Sequence, residues 1–383
     1  MNGTALDVEA LCDEITNGKV NALYEQCLKV VEQIIVNDVR DPKVIEQMLL
    51  DGLPEFKYLS AKDKKMVVDM IVDGMNQGNL SKEKVCSLIT SLIISAIKDM
   101  LIYQKCIMVL NDISAKMPMS AAQIEKELYE IPGFSSLSKS QIKKVVDNIL
   151  ADPMVDGSLD AERHCLDIVG MILALIEGTD IYQACIKVMD EIIKEGITDP
   201  AAIREKMKEI PGFNVLSSNL QNQITQSVLD AIEDGNLADS KEELCRNITA
   251  LILDELNKNN IFQQCRIILQ GIVDKGILND EAKVREELKK IPNFSILPAH
   301  EVDAIVKDVM AIDTSGDVNL QIINLCTKIT SLITDYLKQS ELFKMCIKMM
   351  DEIIAEGLNT EAEVREKLFK SPGFTMLSKK DQD

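Results

Sequence analysis

The sequence predicts an all-α fold, an elongated tandem array of four-helix units, and three observations carry that expectation. Apolar residues recur at helical spacing along the 383-residue chain, and no segment shows strand-like alternation. Ten cysteines keep a beat, at Cys12, Cys27, Cys86, Cys106, Cys165, Cys185, Cys245, Cys265, Cys326 and Cys346; from Cys27 on, gaps of 59 to 61 alternate with gaps of 20. Two further markers keep the same time. One is a turn: Leu53-Pro54-Glu55-Phe56, Ile131-Pro132-Gly133-Phe134, Ile210-Pro211-Gly212-Phe213, Ile291-Pro292-Asn293-Phe294 and Ser371-Pro372-Gly373-Phe374. The other is an aromatic three residues before one cysteine of each pair: Tyr24, Tyr103, Tyr182, Phe262 and Phe343. Self-similarity at a period of about 80 residues marks one supersecondary unit copied along the chain.

Each element of the unit has a local cause. In the first helix Cys185, Val188, Met189, Ile192 and Ile193 form one apolar stripe, repeated by Cys265–Val273 and Cys346–Ile354. Gly196, Gly276 and Gly357 stand where such helices end in a left-handed cap. The second helix opens with Asp41-Pro42 or Asp199-Pro200, an N-cap followed by proline at the first helical position, and stops before the proline of the turn. A third starts at Leu59-Ser60, Leu137-Ser138 or Leu216-Ser217 and runs through Val67-Val68-Asp69 or Val145-Val146-Asp147. A fourth holds Cys86, Cys165, Cys245 or Cys326. Between Cys86 and Cys106 there is neither glycine nor proline, so the fourth helix and the next first helix are expected to run on as one, making stiff junctions. The expected divisions are residues 1–20, the later part of a split unit; 21–99, 100–178, 179–258 and 259–339, four whole units; and 340–383, the earlier part of another.

Composition narrows the function. A formal charge of −20 and a pI near 4.7 argue against nucleic acid, since no basic stripe is available to neutralise phosphates. The same charge disfavours anionic membranes at neutral pH, a repulsion that protonation of carboxylates at acidic pH relaxes. No apolar run is long enough for a membrane span, and Met1-Asn2-Gly3-Thr4 opens no signal peptide; the chain is cytosolic, a mature form or an excised fragment.

The unit resembles the saposin B-type domain, the family of saposins, amoebapores, NK-lysin and surfactant protein B, arranged in tandem as in prosaposin. The family's second and fifth cysteines match Cys27/Cys86, Cys106/Cys165, Cys185/Cys245 and Cys265/Cys326; its Leu-Pro matches Leu53-Pro54, and its Val-Val-Asp matches Val67-Val68-Asp69. The family's first cysteine is replaced by the aromatics, its sixth by Leu92, Met171, Leu251 and Leu332, and its third by Leu50, Leu128, Met207, Leu288 and Leu368. The resemblance implies one disulfide per unit, closing a loop worth roughly 4 kcal/mol when oxidised. The competing reading is five pairs of buried free thiols in a cytosolic repeat protein. The resemblance also implies a secreted or endo-lysosomal protein, with the cytosol as the alternative. Sequons at Asn2, Asn79, Asn247 and Asn293 would permit glycosylation there.

No catalytic, metal or cofactor site is expected. The cysteines lack zinc spacing, and the only histidines are His164 and His300. His164-Cys165 is not repeated in other units, and the helix-face carboxylates are those of a solvated surface. The leading expectation is a non-enzymatic lipid-binding or membrane-interacting array, with Ile89, Leu92, Ile93, Met171, Leu251 and Leu332 as lipid-facing residues and 18 methionines lending an adaptable interior. The alternative is a helical scaffold that self-associates or displays surfaces to protein partners. Cys12 has the register of a fourth helix without its first, and Cys346 that of a first helix without its fourth. They pair in a ring, pair between molecules in a filament, or stay free in a fragment. The junctions carry no paired basic residues, so the array is expected to work uncleaved.

Overall fold

The computed structural model describes residues 18–153, 158–358 and 360–369. These residues form eighteen α-helices and no strand, as the periodicity requires. The first disulfide-closed segment holds α1 (Gly18–Val36), α2 (Pro42–Gly52), α3 (Ala61–Gln77) and α4 (Lys82–Lys98). The second holds α5 (Leu101–Lys116), α6 (Ala121–Leu128), α7 (Lys139–Leu150) and α8 (Ala161–Gly178). The third holds α9 (Asp180–Glu195), α10 (Pro200–Met207), α11 (Ser218–Glu233) and α12 (Leu237–Lys258). The fourth holds α13 (Asn260–Asp274), α14 (Glu281–Leu288), α15 (Ala299–Met310) and α16 (Val318–Gln339). Beyond it lie α17 (Glu341–Ala355) and α18 (Glu361–Leu368). Helix α1 begins at Gly18, inside the first of the expected divisions.

Helix ends follow the capping chemistry written in the sequence. Asp41 accepts from the Lys43 N–H ahead of Pro42, and Asp199 accepts from the Ala202 N–H ahead of Pro200. Ser138 and Gln141 form a capping box at the start of α7. Gly196, Gly276 and Gly357 adopt left-handed backbone after their helices. In each closed segment a short 3-10 turn follows the second helix, and its phenylalanine points inward: Phe56, Phe134, Phe213 and Phe294 are buried.

One expectation fails. The fourth helix and the next first helix do not run on as one; α4 stops at Lys98, α5 starts at Leu101, and the two are bent by 75°. Met100 is extended, and the Gln104 side chain reaches back to donate to the Lys98 carbonyl at 2.6 Å. Gln183 and Gln263 do the same to the carbonyls of Glu177 and Asn257. The bend buries Ile97, Met100, Ile102 and Tyr103, which a straight helix would spread over more than one face.

The described chain gathers into two compact bodies, one of residues up to Lys206 with Gln223–Asp254, the other of Met207–Asn222 with Glu255 onward. The third closed segment contributes to both. No single described helix is long and apolar enough to cross a membrane.

Candidate functional site

The cysteines fix one half of every closed segment. Disulfides join Cys27 to Cys86, Cys106 to Cys165, Cys185 to Cys245 and Cys265 to Cys326, with Cα atoms 5.6 to 5.7 Å apart, the separation an unforced bridge requires. Each ties the first helix of a segment to its fourth. The second and third helices form a hairpin that no disulfide ties to that pair; side-chain packing holds it, with ion pairs such as Lys116–Glu127, Lys206–Glu191 and Lys275–Glu287. In the first segment Ile45, Leu49, Phe56, Val67 and Ile71 of the hairpin are buried, as are Val31, Ile34, Ile89 and Ile93 of the clasped pair. Ile89 and Ile93, expected to face lipid, thus lie inside the closed core. Leu92, Met171 and Leu332 are half-buried, and Leu251 is 39% exposed.

The hairpin tip has a second job. The Gly133 N–H of the second segment's turn donates to Asp254 Oδ1 on α12, the fourth helix of the next segment, at 2.9 Å. In the third segment the Gly212 N–H donates to Ser331 Oγ on α16 at 3.0 Å, and Asn214 Nδ2 donates to Asp335 Oδ1 at 2.6 Å. Both glycines have φ above +80°, so the turn needs left-handed backbone at that point. A Cβ on Gly133 would stand 2.9 Å from Ile172 Cγ2, so Ile172 would have to shift to admit a side chain. Each turn is therefore seated on the fourth helix of the segment that follows.

At the first turn the seat carries charge. Arg246 of α12, 4% exposed, donates from Nε to Glu177 Oε1 of α8 at 2.8 Å and lies 4.8 Å from the centroid of the Tyr58 ring. Lys57 pairs with the other oxygen of Glu177. Burial raises the Tyr58 phenol far above the ordinary tyrosine range; Glu177 adds to the effect and Arg246 opposes it. Burial likewise pushes Tyr182 up to about 12. The Arg246–Glu177 pair, with Tyr58 and Lys57 against it, thus brings together residues from three consecutive segments, and the charges of Arg246 and Glu177 have left water, so each depends on the other.

Other candidates resolve locally. His164 Nε2 lies 2.7 Å from Asp152 Oδ2, which also accepts from Arg163 at 2.8 Å. The neighbouring Cys165 is bound to Cys106, so this pair offers no thiol nucleophile. Among the described residues no three metal-binding side chains cluster. Asn79 and Asn293 are exposed and Asn247 is half-buried; Asn2 and Cys12 lie outside the described residues, and so does the side chain of Cys346. An open groove of about 720 Å³ runs along the seam of α3 and α4, lined by Met66, Met70, Leu80 and Val85, by Lys62, Lys65 and Lys84, and by Asp69 and Asp73, with Lys65 paired to Asp69.

Sequence reasoning missed the glutamine caps, although an aromatic-glutamine pair repeats at Tyr103-Gln104, Tyr182-Gln183 and Phe262-Gln263. It also missed the turn seats, for which the glycine of the turn is the only local signal. No protein-family model, curated protein or solved structure matches the chain.

Proposed function

We propose that the chain is a non-enzymatic, saposin-like, lipid-binding or membrane-interacting tandem protein of a secreted or endo-lysosomal compartment. The groove along α3 and α4 carries the reading. Its methionine, leucine and valine lining suits an acyl chain, and Lys62 and Lys84 beside it suit an anionic headgroup. The groove lies where the uncrosslinked hairpin meets the clasped pair, the seam along which a saposin-like unit would open. The four disulfides are in keeping with an oxidising compartment.

Native mass spectrometry of the purified chain, with flotation on vesicles containing an anionic lipid, tests this. The expected result is co-purifying lipid and vesicle binding that strengthens as the pH falls toward the carboxylate range, where the charge of −20 is relieved. Met66→Glu and Met70→Glu should weaken both. Lipid-free protein that ignores vesicles at every pH would refute the reading.

A second reading, a self-associating scaffold, is favoured by one observation: the turns of the first three segments are locked onto the following fourth helix. That arrangement suits an array whose segments work joined, not one released as single units.

A further inference from the structure

All four closed segments have a seam between third and fourth helix, but they do not line it alike. The buried pairs Val67-Val68, Val145-Val146, Ile224-Thr225 and Ile305-Val306 set the third helices in register. In that register Met66 and Met70 of the groove correspond to Lys144 and Asn148, to Gln223 and Ser227, and to Ala304 and Asp308.

Each later seam is also closed by a contact of its own. In the second segment Asp152, Arg163 and His164 take the places of the groove residues Gly74, Lys84 and Val85. The Asp152 side chain, 2% exposed, accepts from Arg163 and lies 2.7 Å from His164 Nε2, so a polar clasp fills that place. In the third segment Leu237 stands two residues after the left-handed Gly235, as Leu80 does after Gly78. Leu237 is buried, whereas Leu80 is only half-buried. In the fourth, Ile312 is buried at the register of Gly74, and Lys328 reaches the counterpart of Met70, Asp308, at 2.7 Å.

The first seam offers a wall for one acyl chain. Met66 and Met70 lie one turn apart on α3, with Leu80 and Val85 opposite, and together they make a single apolar row. The Lys65–Asp69 pair and Asp73 also line the groove, so a second acyl chain would lie against charge. From Lys57 to Lys84 the chain carries six lysines against four carboxylates, Asp63, Asp69, Asp73 and Glu83, a local positive excess in a protein of net charge −20.

We propose that the chain has one lipid site, in the first segment, and that its ligand is a single-chain amphiphile with an anionic head. The acyl chain lies along the methionine row and the head is held at Lys62 and Lys84. This assignment rests on the lipid-binding reading and adds to it the place, the stoichiometry and the class of lipid.

Native mass spectrometry of the full chain at neutral pH, with palmitoyl lysophosphatidate as the probe, should show saturation at one lipid per chain. A palmitate carrying a photoreactive diazirine should label peptides within residues 62–85 and no others. Met70→Asn, the second segment's residue at that register, should weaken binding about tenfold through lost apolar contact. Lys84→Gln should weaken lysophosphatidate more than uncharged monopalmitoylglycerol, and Lys144→Gln in the second segment should change neither. Unchanged helical content would show the variants folded. Two or more lipids per chain, label outside residues 62–85, or equal retention of a two-chain phosphatidate would overturn the proposal while sparing the lipid reading. Absence of binding with every probe at every pH would remove both.

Discussion

Replacing Arg246 by methionine tests whether the charged seat holds three segments together. The guanidinium is 4% exposed, and its Glu177 partner has a side chain only 11% exposed. Removing one member of a buried pair costs about 3–5 kcal/mol, because the other charge stays out of water. Two features set the magnitude. Lys57 remains on Glu177, which moves the loss toward the lower figure, while the stacking on Tyr58 adds roughly 0.5–1 kcal/mol. The expected cost is about 3 kcal/mol, which lowers the melting temperature of a body of this size by roughly 6–12 °C. Calorimetry with disulfides intact measures it. Adding Glu177→Leu should recover most of the loss, whereas Lys57→Met alone should cost under about 1 kcal/mol because Lys57 is 40% exposed. If Arg246→Met costs under about 1 kcal/mol, or the double replacement costs the sum of the singles, the pair does not hold the segments and the reasoning fails.

Thr90, Thr249 and Thr330 share one register of the fourth helix, and their buried hydroxyls have no hydrogen-bond partner. The second segment has Val169 there, so each Thr→Val should stabilise by about 1 kcal/mol in urea unfolding. Gly133→Asn should cost roughly 1–3 kcal/mol, since asparagine tolerates the left-handed backbone but meets Ile172; Asn293→Gly, at an exposed turn, should stay within about 0.5 kcal/mol. The raised Tyr58 and Tyr182 phenols bind their proton more tightly folded than unfolded. Their contribution is therefore complete below the ordinary tyrosine range near 10; that of Tyr182 is lost as the pH rises through about 12, and that of Tyr58 at still higher pH. Ultraviolet titration should show two late-ionising tyrosines, with stability falling over that window; normal ionisation of all six would contradict the buried placement.

The sequence by itself determined the helices, their caps and the beat of the cysteines. A 3.6-residue stripe, an Asp-Pro start and a left-handed glycine act within a few residues, and the chain carries those instructions whatever surrounds it. It could not place the bend at Met100, because no residue there forbids a continuous helix; the bend exists to keep Ile97, Met100, Ile102 and Tyr103 buried. Nor could it place Ile89 and Ile93, since an apolar residue on a helix face fits a closed core as well as a lipid surface, and only packing against the partner helix decides. The seats were least legible. Gly133 and Asp254 are 121 residues apart, Gly212 and Ser331 119, and the Arg246–Glu177 pair 69. Each residue alone has the composition of a turn or a solvated helix face. Only the tertiary structure brings turn and helix together, and removing Arg246 and Glu177 from water makes their pairing a requirement of the fold.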